Sequence, residues 1–323
     1  MLKLLYKLFD SYLKISTKLK NRPVILRDNS NKKIDMTSSK SIFIRVLYSE
    51  LENTMGDTLK TSNWRKTAIA IYKPPRDGKV YGTYEVDATN LLRYIDKQKK
   101  KGIRITVTNM LTSAVAHTLF YDIPEMNCFV RRGKLIQRKH VDVFLAVARK
   151  GKSVTGMIIH NAESMSVKEL SEYQKNKLNS INKGKKDSIN IANSIGKIPW
   201  PLRGLVVKFI KWWIFDMGFR FPFVKLNQDP FGSISISNIG VFGLDTGYMA
   251  LFPIANYPAV LAMGAIKEKP VVIDGEIVVR PMLPVSGTFD HRIMEADKIG
   301  MLKDGVEHRL LNPHLLEKPG MNK

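Results

Sequence analysis

The sequence predicts an α/β domain, and three observations lead to this prediction. The chain has 323 residues and a hydrophobic composition of 44%, which is enough to bury a large core. Segments in which apolar and polar residues alternate, as in strands, are interspersed with segments of helical periodicity. A run of apolar and small residues from Met282 to Phe289 indicates a buried strand, and it ends in the polar sequence Asp290-His291-Arg292.

The chain is strongly basic. Lysine and arginine total 52 and aspartate and glutamate total 29, so the formal net charge is 52 − 29 = +23. This charge predicts attraction to an anionic partner, such as the phosphates of coenzyme A or an acidic membrane surface. The basic residues are scattered over the whole chain and do not form a nucleic-acid-reading motif, so we expect no nucleic acid among the partners.

The cysteine and histidine content limits the disulfides and metal sites that this chain can form. Cys128 is the only cysteine, which excludes an intrachain disulfide and a cysteine-based zinc site, and we expect it to be a small buried core residue. The six histidines show no HExxH spacing, so we expect no metal site. No uninterrupted apolar window is long enough to span a membrane, and no secretory signal is present. We therefore expect a cytoplasmic location.

The first sixty residues are predicted to form an arm outside the main domain, which would comprise residues 61–323. Residues 1–20 have the pattern of a basic amphipathic helix. This helix would pack on the protein's own core or on a partner subunit, or it would bind anionic lipid and make the protein membrane-associated. Residues 27–41 are polar and indicate a linker.

The segments that follow the arm alternate between strand and helix patterns. NWRKTAIAIYKPP predicts a strand, and VYGTYEVDATNLL predicts a second strand that runs into a helix capped by Asp87 or Thr89. Residues 103–121 predict a largely buried helix.

The middle of the chain predicts more strands and a further helix. EMNCFVRRGKLIQ has the pattern of a hairpin with its turn near Arg132 and Gly133, and VTGMIIHNAE predicts another strand. Residues 165–190 predict a polar, lysine-rich helix.

Residues 198–224 are the most apolar stretch of the chain. Lys208 and Lys211 interrupt it, so we expect it to lie on a surface and not to cross a membrane. Its aromatic residues suit a membrane interface, a hydrophobic substrate or subunit surface, or an ordinary packed helix pair; they are Phe209, Trp212, Trp213 and Phe215.

The C-terminal third predicts two strands, a hairpin and a helix. Serine and isoleucine alternate through residues 233–237 with the period of a strand. The dipeptide Asp274-Gly275 predicts a hairpin turn before the buried strand. The closing segment, IGMLKDGVEHRLL, predicts a helix that ends near Asn312.

His291 is the strongest candidate for chemistry. A histidine at the end of a buried strand is held in one place and suits the role of a general base. The alternative is a polar cluster at a strand end that only satisfies backbone groups.

Two motifs carry a resemblance to a known family. Gly232–Gly240 reads GSISISNIG, and Asp290–Ala296 reads DHRIMEA about fifty residues later. In this order they resemble the catalytic domain of the 2-oxoacid dehydrogenase acyltransferases, which share a fold with chloramphenicol acetyltransferase, and weaker similarity extends the resemblance over residues 63–319. It implies a two-layer sandwich with a large mixed sheet, helices over one face, and assembly as a homotrimer.

The resemblance also implies roles for individual residues. His291 would take a proton from the acceptor, which then attacks a thioester carbonyl directly, and Ser237 would donate a hydrogen bond to the oxyanion. The histidine of one subunit would face the serine of its neighbour, with coenzyme A entering between them. Asp290 would support the site. Asn238 points to the other face of a strand, so we expect no catalytic role for it.

The second motif departs from the family at two positions. The family has aspartate and glycine where this chain has Glu295 and Ala296. Glu295 would support the site by pairing with a shifted arginine, for which Arg65 is the candidate. Lys298 follows the motif where a helix should start, which does not suit a lipoylated lysine on a hairpin tip.

Three functions follow from this resemblance. About sixty residues precede the similarity, too few for a lipoyl domain and a subunit-binding domain with linkers. The first expectation is therefore a free-standing enzyme that moves an acyl group from a coenzyme A thioester to an unknown small-molecule acceptor. The alternatives are a lipoyl-dependent acyltransferase core that uses a lipoyl domain on another chain, and a non-catalytic oligomeric scaffold.

Overall fold

A computed structural model describes residues 78–149, 152–182, 202–219, 229, 231–252 and 256–320. The predicted arm of residues 1–60, the strand predicted around Trp64, and Arg65 lie outside the described residues.

The described elements follow the predicted alternation of strands and helices. In chain order they are β1 (Lys79–Asp87), α1 (Thr89–Lys100), α2 (Val107–His117), β2 (Cys128–Arg131), β3 (Lys134–Gln137), β4 (Val143–Arg149), β5 (Lys152–Ile159), α3 (Val167–Asn182), α4 (Leu202–Ile210), β6 (Ile234–Asn238), β7 (Ala259–Met263), β8 (Lys267–Ile273), β9 (Glu276–Asp290) and α5 (Ala296–Leu311). A π-helical turn continues α2 over Thr118–Asp122, and another continues α4 over Lys211–Asp216.

Seven of the described strands form one mixed sheet in the order β1-β9-β7-β6-β4-β5, with β8 paired to the first part of β9. The pairs β4–β6 and β6–β7 are parallel, and the other pairs are antiparallel. β2 and β3 form a separate hairpin. The prediction of an α/β fold with a large mixed sheet is confirmed.

The main core lies between this sheet and four helices. Buried apolar residues of α1, α2, α3 and α5 form one cluster with inward-facing residues of the central strands, among them Leu111, Val306, Ile236, Leu261 and Leu283. The helices therefore cover one face of the sheet, as predicted. The strand residues that alternate with the core residues point to the opposite face, which remains for the candidate site.

Local sequence signals account for the turns between paired strands. The β8–β9 loop is the predicted Asp274-Gly275, and the β2–β3 loop is Arg132-Gly133; all four residues have positive φ. Two-residue hairpin loops of this kind need φ > 0 at both central positions.

The start of α1 differs from the prediction. Ala88 occupies the N-cap, whereas Asp87 or Thr89 was expected there. The Asp87 carboxylate nevertheless accepts a hydrogen bond of 2.8 Å from the Thr89 backbone N–H, so it satisfies a helix-start donor from one position earlier.

Candidate active site

His291 lies on a tight turn between β9 and α5. The Asp290 carbonyl accepts hydrogen bonds of 2.9 Å from the backbone N–H groups of Ile293 and Met294, both of which are buried. The backbone N–H of His291 donates to the carbonyl of Gly78 at 2.7 Å. The turn is therefore fixed at both ends, and the half-buried His291 side chain projects from a rigid support.

The imidazole of His291 is oriented by the same turn. Its Nδ1 lies 3.1 Å from the carbonyl oxygen of Met294. Because a carbonyl oxygen can only accept a hydrogen bond, this contact assigns the proton of the neutral ring to Nδ1. Nε2 is then the nitrogen with a lone pair, which is the state that a general base requires.

Asp290 is held by Arg292 within the motif. The arginine donates from Nε to both carboxylate oxygens at 2.9 and 3.0 Å and from Nη2 to Oδ2 at 2.5 Å, and its backbone N–H adds a bond of 3.0 Å. Both residues are buried. Asp290 thus supports the turn through a forked ion pair and does not extend towards a substrate.

We expect Arg292→Ala to lower the free energy of unfolding by about 3–5 kcal/mol, because it leaves the Asp290 carboxylate buried without its main cation. Lys303→Ala is the matched control, since it removes an exposed ion pair with Glu307 on the surface of α5 and should cost less than about 0.5 kcal/mol. Urea unfolding of both variants measures the difference. Equal small losses would contradict a structural role for the Asp290–Arg292 pair.

A second acid lies near the histidine turn. Burial raises the pKa of Asp216, at the end of the π-helical turn after α4, and the positive charges of Lys211, Arg292 and Arg131 act in the opposite direction. The carboxylate of Asp216 therefore experiences the charge of the same arginine that binds Asp290.

Ser237 and Asn238 point to opposite faces of the sheet, as the strand period predicts. Ile234 and Ile236 belong to the core under the helices, and Asn238 on the same face donates a hydrogen bond of 3.1 Å to the Thr108 hydroxyl of α2. Ser237 is half-buried on the other face. Asn238 thus has a structural partner, in agreement with its exclusion from the candidate catalytic residues.

The strand register shows how Ser237 and His291 lie in one chain. Ser237 is level with Ala262 of β7, and Ala262 is level with Ser286 of β9. Asp290 lies four residues further along β9, so at about 3.3 Å per residue and two strand spacings of about 4.8 Å the Ser237 and Asp290 Cα atoms are about 16 Å apart. Ser237 and the histidine turn therefore lie towards opposite ends of the strands.

The structure also shows where the other residues in and just after the second motif lie. Glu295 is half-buried at the N-cap of α5, and its backbone carbonyl accepts a hydrogen bond from Ile299. Ala296 is the first residue of α5 and has no positive φ, so the change from glycine causes no backbone strain. Lys298 lies on α5 and pairs with Glu125 at 2.9 Å, which confirms that it is not on a hairpin tip.

Two residues that could suggest reactive chemistry belong to the core. Cys128 is fully buried, as predicted. His117 is also buried, and this burial lowers its pKa to about 4, so its ring is neutral near pH 7.

Sequence reasoning missed two parts of the histidine site. The pairing of Arg292 with Asp290 was detectable, because the residues are only two positions apart in the motif. The carbonyl of Met294 as the partner of Nδ1 had no side-chain signal in the sequence, since any residue supplies a backbone carbonyl.

Comparison with known proteins shows which family this chain resembles. The family model for the 2-oxoacid dehydrogenases acyltransferase (catalytic domain) matches residues 77–194 and 225–317. A curated relative, the dihydrolipoyllysine-residue succinyltransferase component of the 2-oxoglutarate dehydrogenase complex of Buchnera aphidicola, is 28% identical over 210 residues, which cover 64% of this chain and 40% of the relative. The chain spans about half the length of the curated relatives it matches.

Solved structures share the fold. A probable dihydrolipoamide acetyltransferase of Listeria monocytogenes aligns with a TM-score of 0.54 and 21% identity, covering 79% of this chain and 94% of that one. The dihydrolipoamide acetyltransferase of Azotobacter vinelandii aligns with a TM-score of 0.52 and 17% identity, covering 91% of this chain and 99% of that one.

The serine strand and the histidine turn both lie inside the ranges matched by the family model, and those ranges cover most of the chain. This chain therefore belongs to the 2-oxoacid dehydrogenase acyltransferase family, through that family's catalytic domain.

Proposed function

We propose that this chain is the acyltransferase core of a lipoyl-dependent system and transfers an acyl group between a dihydrolipoyl thiol and coenzyme A. The observation that carries the proposal is the His291 imidazole, whose Nδ1–H is held by the Met294 carbonyl so that Nε2 can accept a proton. The lipoyl group replaces the unknown acceptor of our first expectation, because the curated relatives are named as dihydrolipoyllysine-residue succinyltransferases.

The proposed step is a direct exchange of thioesters. Nε2 of His291 takes the proton of the coenzyme A thiol, and the thiolate attacks the carbonyl carbon of the S-acyl dihydrolipoyl group. Ser237 Oγ donates a hydrogen bond to the resulting oxyanion. The new carbon–sulfur bond forms, the bond to the dihydrolipoyl sulfur breaks, and the leaving thiolate receives the proton from the imidazolium. No acyl-enzyme is needed.

The complete site is proposed to form between two copies of the chain in a homotrimer. Within one chain the sheet register separates the Cα atoms of Ser237 and Asp290, the neighbour of His291, by about 16 Å. Each catalytic centre would therefore combine the histidine of one copy with the serine of the next. This arrangement also leaves a passage between copies for coenzyme A, whose phosphates suit a chain of net charge +23.

Exposed apolar residues beyond the serine strand support such a contact. The segment that follows β6 carries six large apolar residues that are 37–64% exposed: Val241, Phe242, Leu244, Tyr248, Met249 and Phe252. A contiguous apolar patch of this kind is typical of a protein contact surface. Since it adjoins Ser237, we propose that it packs against the neighbouring copy.

The Azotobacter vinelandii enzyme supports the choice of residues. Its structure was studied for the role of a serine, a histidine and an asparagine in the catalytic mechanism, and that asparagine lies four positions after the histidine. Glu295 takes the same place after His291 here. We propose that Glu295 supports the site and that Arg65 is its partner. We also propose that residues 61–323 form the catalytic domain.

The proposal is tested by transfer in the reverse direction. The full chain is mixed with succinyl-CoA or acetyl-CoA, and release of the coenzyme A thiol is followed with dihydrolipoamide, an alcohol or an amine as the acceptor. We expect dihydrolipoamide to accelerate release and to accumulate as the S-acyl product, whereas the alcohol and the amine do not.

Two other results would overturn the proposal. Transfer to the alcohol or the amine but not to dihydrolipoamide would favour the free-standing enzyme with a different acceptor. Assembly without transfer and without coenzyme A binding in calorimetry would favour the non-catalytic scaffold.

A further inference from the structure

The α4 segment, Leu202–Asp216, carries an apolar stripe on its outer side. Leu202, Leu205, Phe209 and Trp212 are spaced by three, four and three residues, so they share one helical face. Each of them is 47–61% exposed. This stripe is therefore open in the described part of the chain.

The opposite side of the α4 segment is fixed to the domain. Ile214 and Phe215 are buried. Arg131 and Asn256 both donate side-chain hydrogen bonds of 3.3 Å to the carbonyl of Phe215. These contacts hold the segment in one orientation, with its apolar stripe turned away from the protein.

The α4 segment lies outside the ranges of this chain that the family model matches. The family model matches residues up to 194 and again from 225, so the segment falls between the two matched ranges. The family match therefore does not explain the stripe, and the partner that covers it is argued from the segment's own residues.

Charge identifies the kind of surface that fits the stripe. Lys208 is exposed beside it, and Lys211 is half-buried. The sequence from residue 198 to residue 215 contains no aspartate or glutamate. An apolar face with an exposed lysine beside it, no acidic residue among these positions and an exposed tryptophan at one end has the chemistry of a helix that lies in the interface of an anionic bilayer.

A second copy of the chain fits the stripe less well. The stripe from Leu202 to Trp212 spans only about 16 Å, and with a width of about 10 Å it offers an area far below the roughly 800 Å² that each partner contributes to a stable interface. The copies would also bring lysines against lysines, whereas anionic lipid neutralises them.

We propose that the α4 segment is an interfacial helix that seats the enzyme on an anionic phospholipid surface through Leu205, Phe209 and Trp212. Among the described residues, no helix is both long and apolar enough to cross a bilayer. The segment would lie in the headgroup region of the bilayer, with its apolar stripe towards the acyl chains.

The test compares binding of the full chain to two kinds of vesicle, phosphatidylcholine alone and phosphatidylcholine with phosphatidylserine, by co-sedimentation. We expect wild type to bind the second kind and the Leu205→Glu/Phe209→Glu variant to bind it at least about tenfold more weakly. Lys208→Gln should weaken binding by about fivefold, the equivalent of roughly 1 kcal/mol per basic residue.

The matched control is Val272→Glu/Ile277→Glu, which makes the same chemical change at exposed apolar residues of the β8–β9 hairpin and should bind almost like wild type. The proposal is overturned if the helix variant binds as well as this control, or if wild type does not prefer the anionic vesicles. A helix variant with unchanged vesicle binding but an altered oligomer mass would assign the stripe to a second copy instead.

Discussion

Replacing His291 by glutamine should lower kcat by about 10²–10⁴, because the thiol then loses its general base. Glutamine has an amide N–H that can still donate to the Met294 carbonyl, so the turn should keep its shape. The measurement is steady-state acyl transfer between coenzyme A and dihydrolipoamide. Unchanged thermal unfolding would show that the loss is chemical and not structural.

The loss of activity in His291→Gln should appear in kcat. Substrate binding should change little, since the histidine acts on the thiol proton and not on the body of coenzyme A. If the variant kept the kcat of wild type, His291 would have no catalytic role. The histidine would then belong only to a polar cluster that satisfies backbone groups at the end of the strand.

Replacing Ser237 by alanine should lower kcat by about 10²–10³, because the oxyanion loses one hydrogen-bond donor in the transition state. The ground-state thioester needs this bond far less, so KM should stay close to that of wild type. Ser235→Ala is the matched control, since it makes the same change on the same face of β6, two residues earlier.

A loss of the same size in Ser235→Ala and Ser237→Ala would mean that the β6 strand is disturbed and that no oxyanion donor has been identified. A rise in KM with unchanged kcat would assign Ser237 to substrate binding.

The elements that were predictable from the sequence are those with short-range signals. The serine and isoleucine alternation gave β6 and its two faces, and Asp274-Gly275 gave the β8–β9 turn. The long run of small and apolar residues gave the buried half of β9, where Leu283 and Val285 are fully buried. Each of these features depends on residues a few positions apart.

The features that were not predictable depend on contacts far apart in the chain. The parallel pairing of β6 with both β4 and β7, and the antiparallel direction of β9, decide that Ser237 and His291 lie towards opposite ends of the strands. Strand order leaves no local pattern in the sequence. The family resemblance implied the separation, and the register supplies its physical reason.

The α4 segment shows the same limit in another way. Its composition was compatible with a membrane interface, with a substrate or subunit surface, and with an ordinary packed helix pair. The contacts of Ile214 and Phe215 with the domain decide which side is buried, and this leaves Leu205 and Phe209 facing outward.

The most direct test of the account is complementation between two inactive variants. His291→Gln and Ser237→Ala chains are co-expressed with different tags, and mixed oligomers that carry both tags are purified and assayed. If each site takes its histidine and serine from different copies, every cyclic trimer that contains both variants restores one of its three sites, and activity rises far above that of either variant alone. If both residues acted within one chain, no site would be restored, and mixed oligomers as inactive as the parent variants would contradict the account.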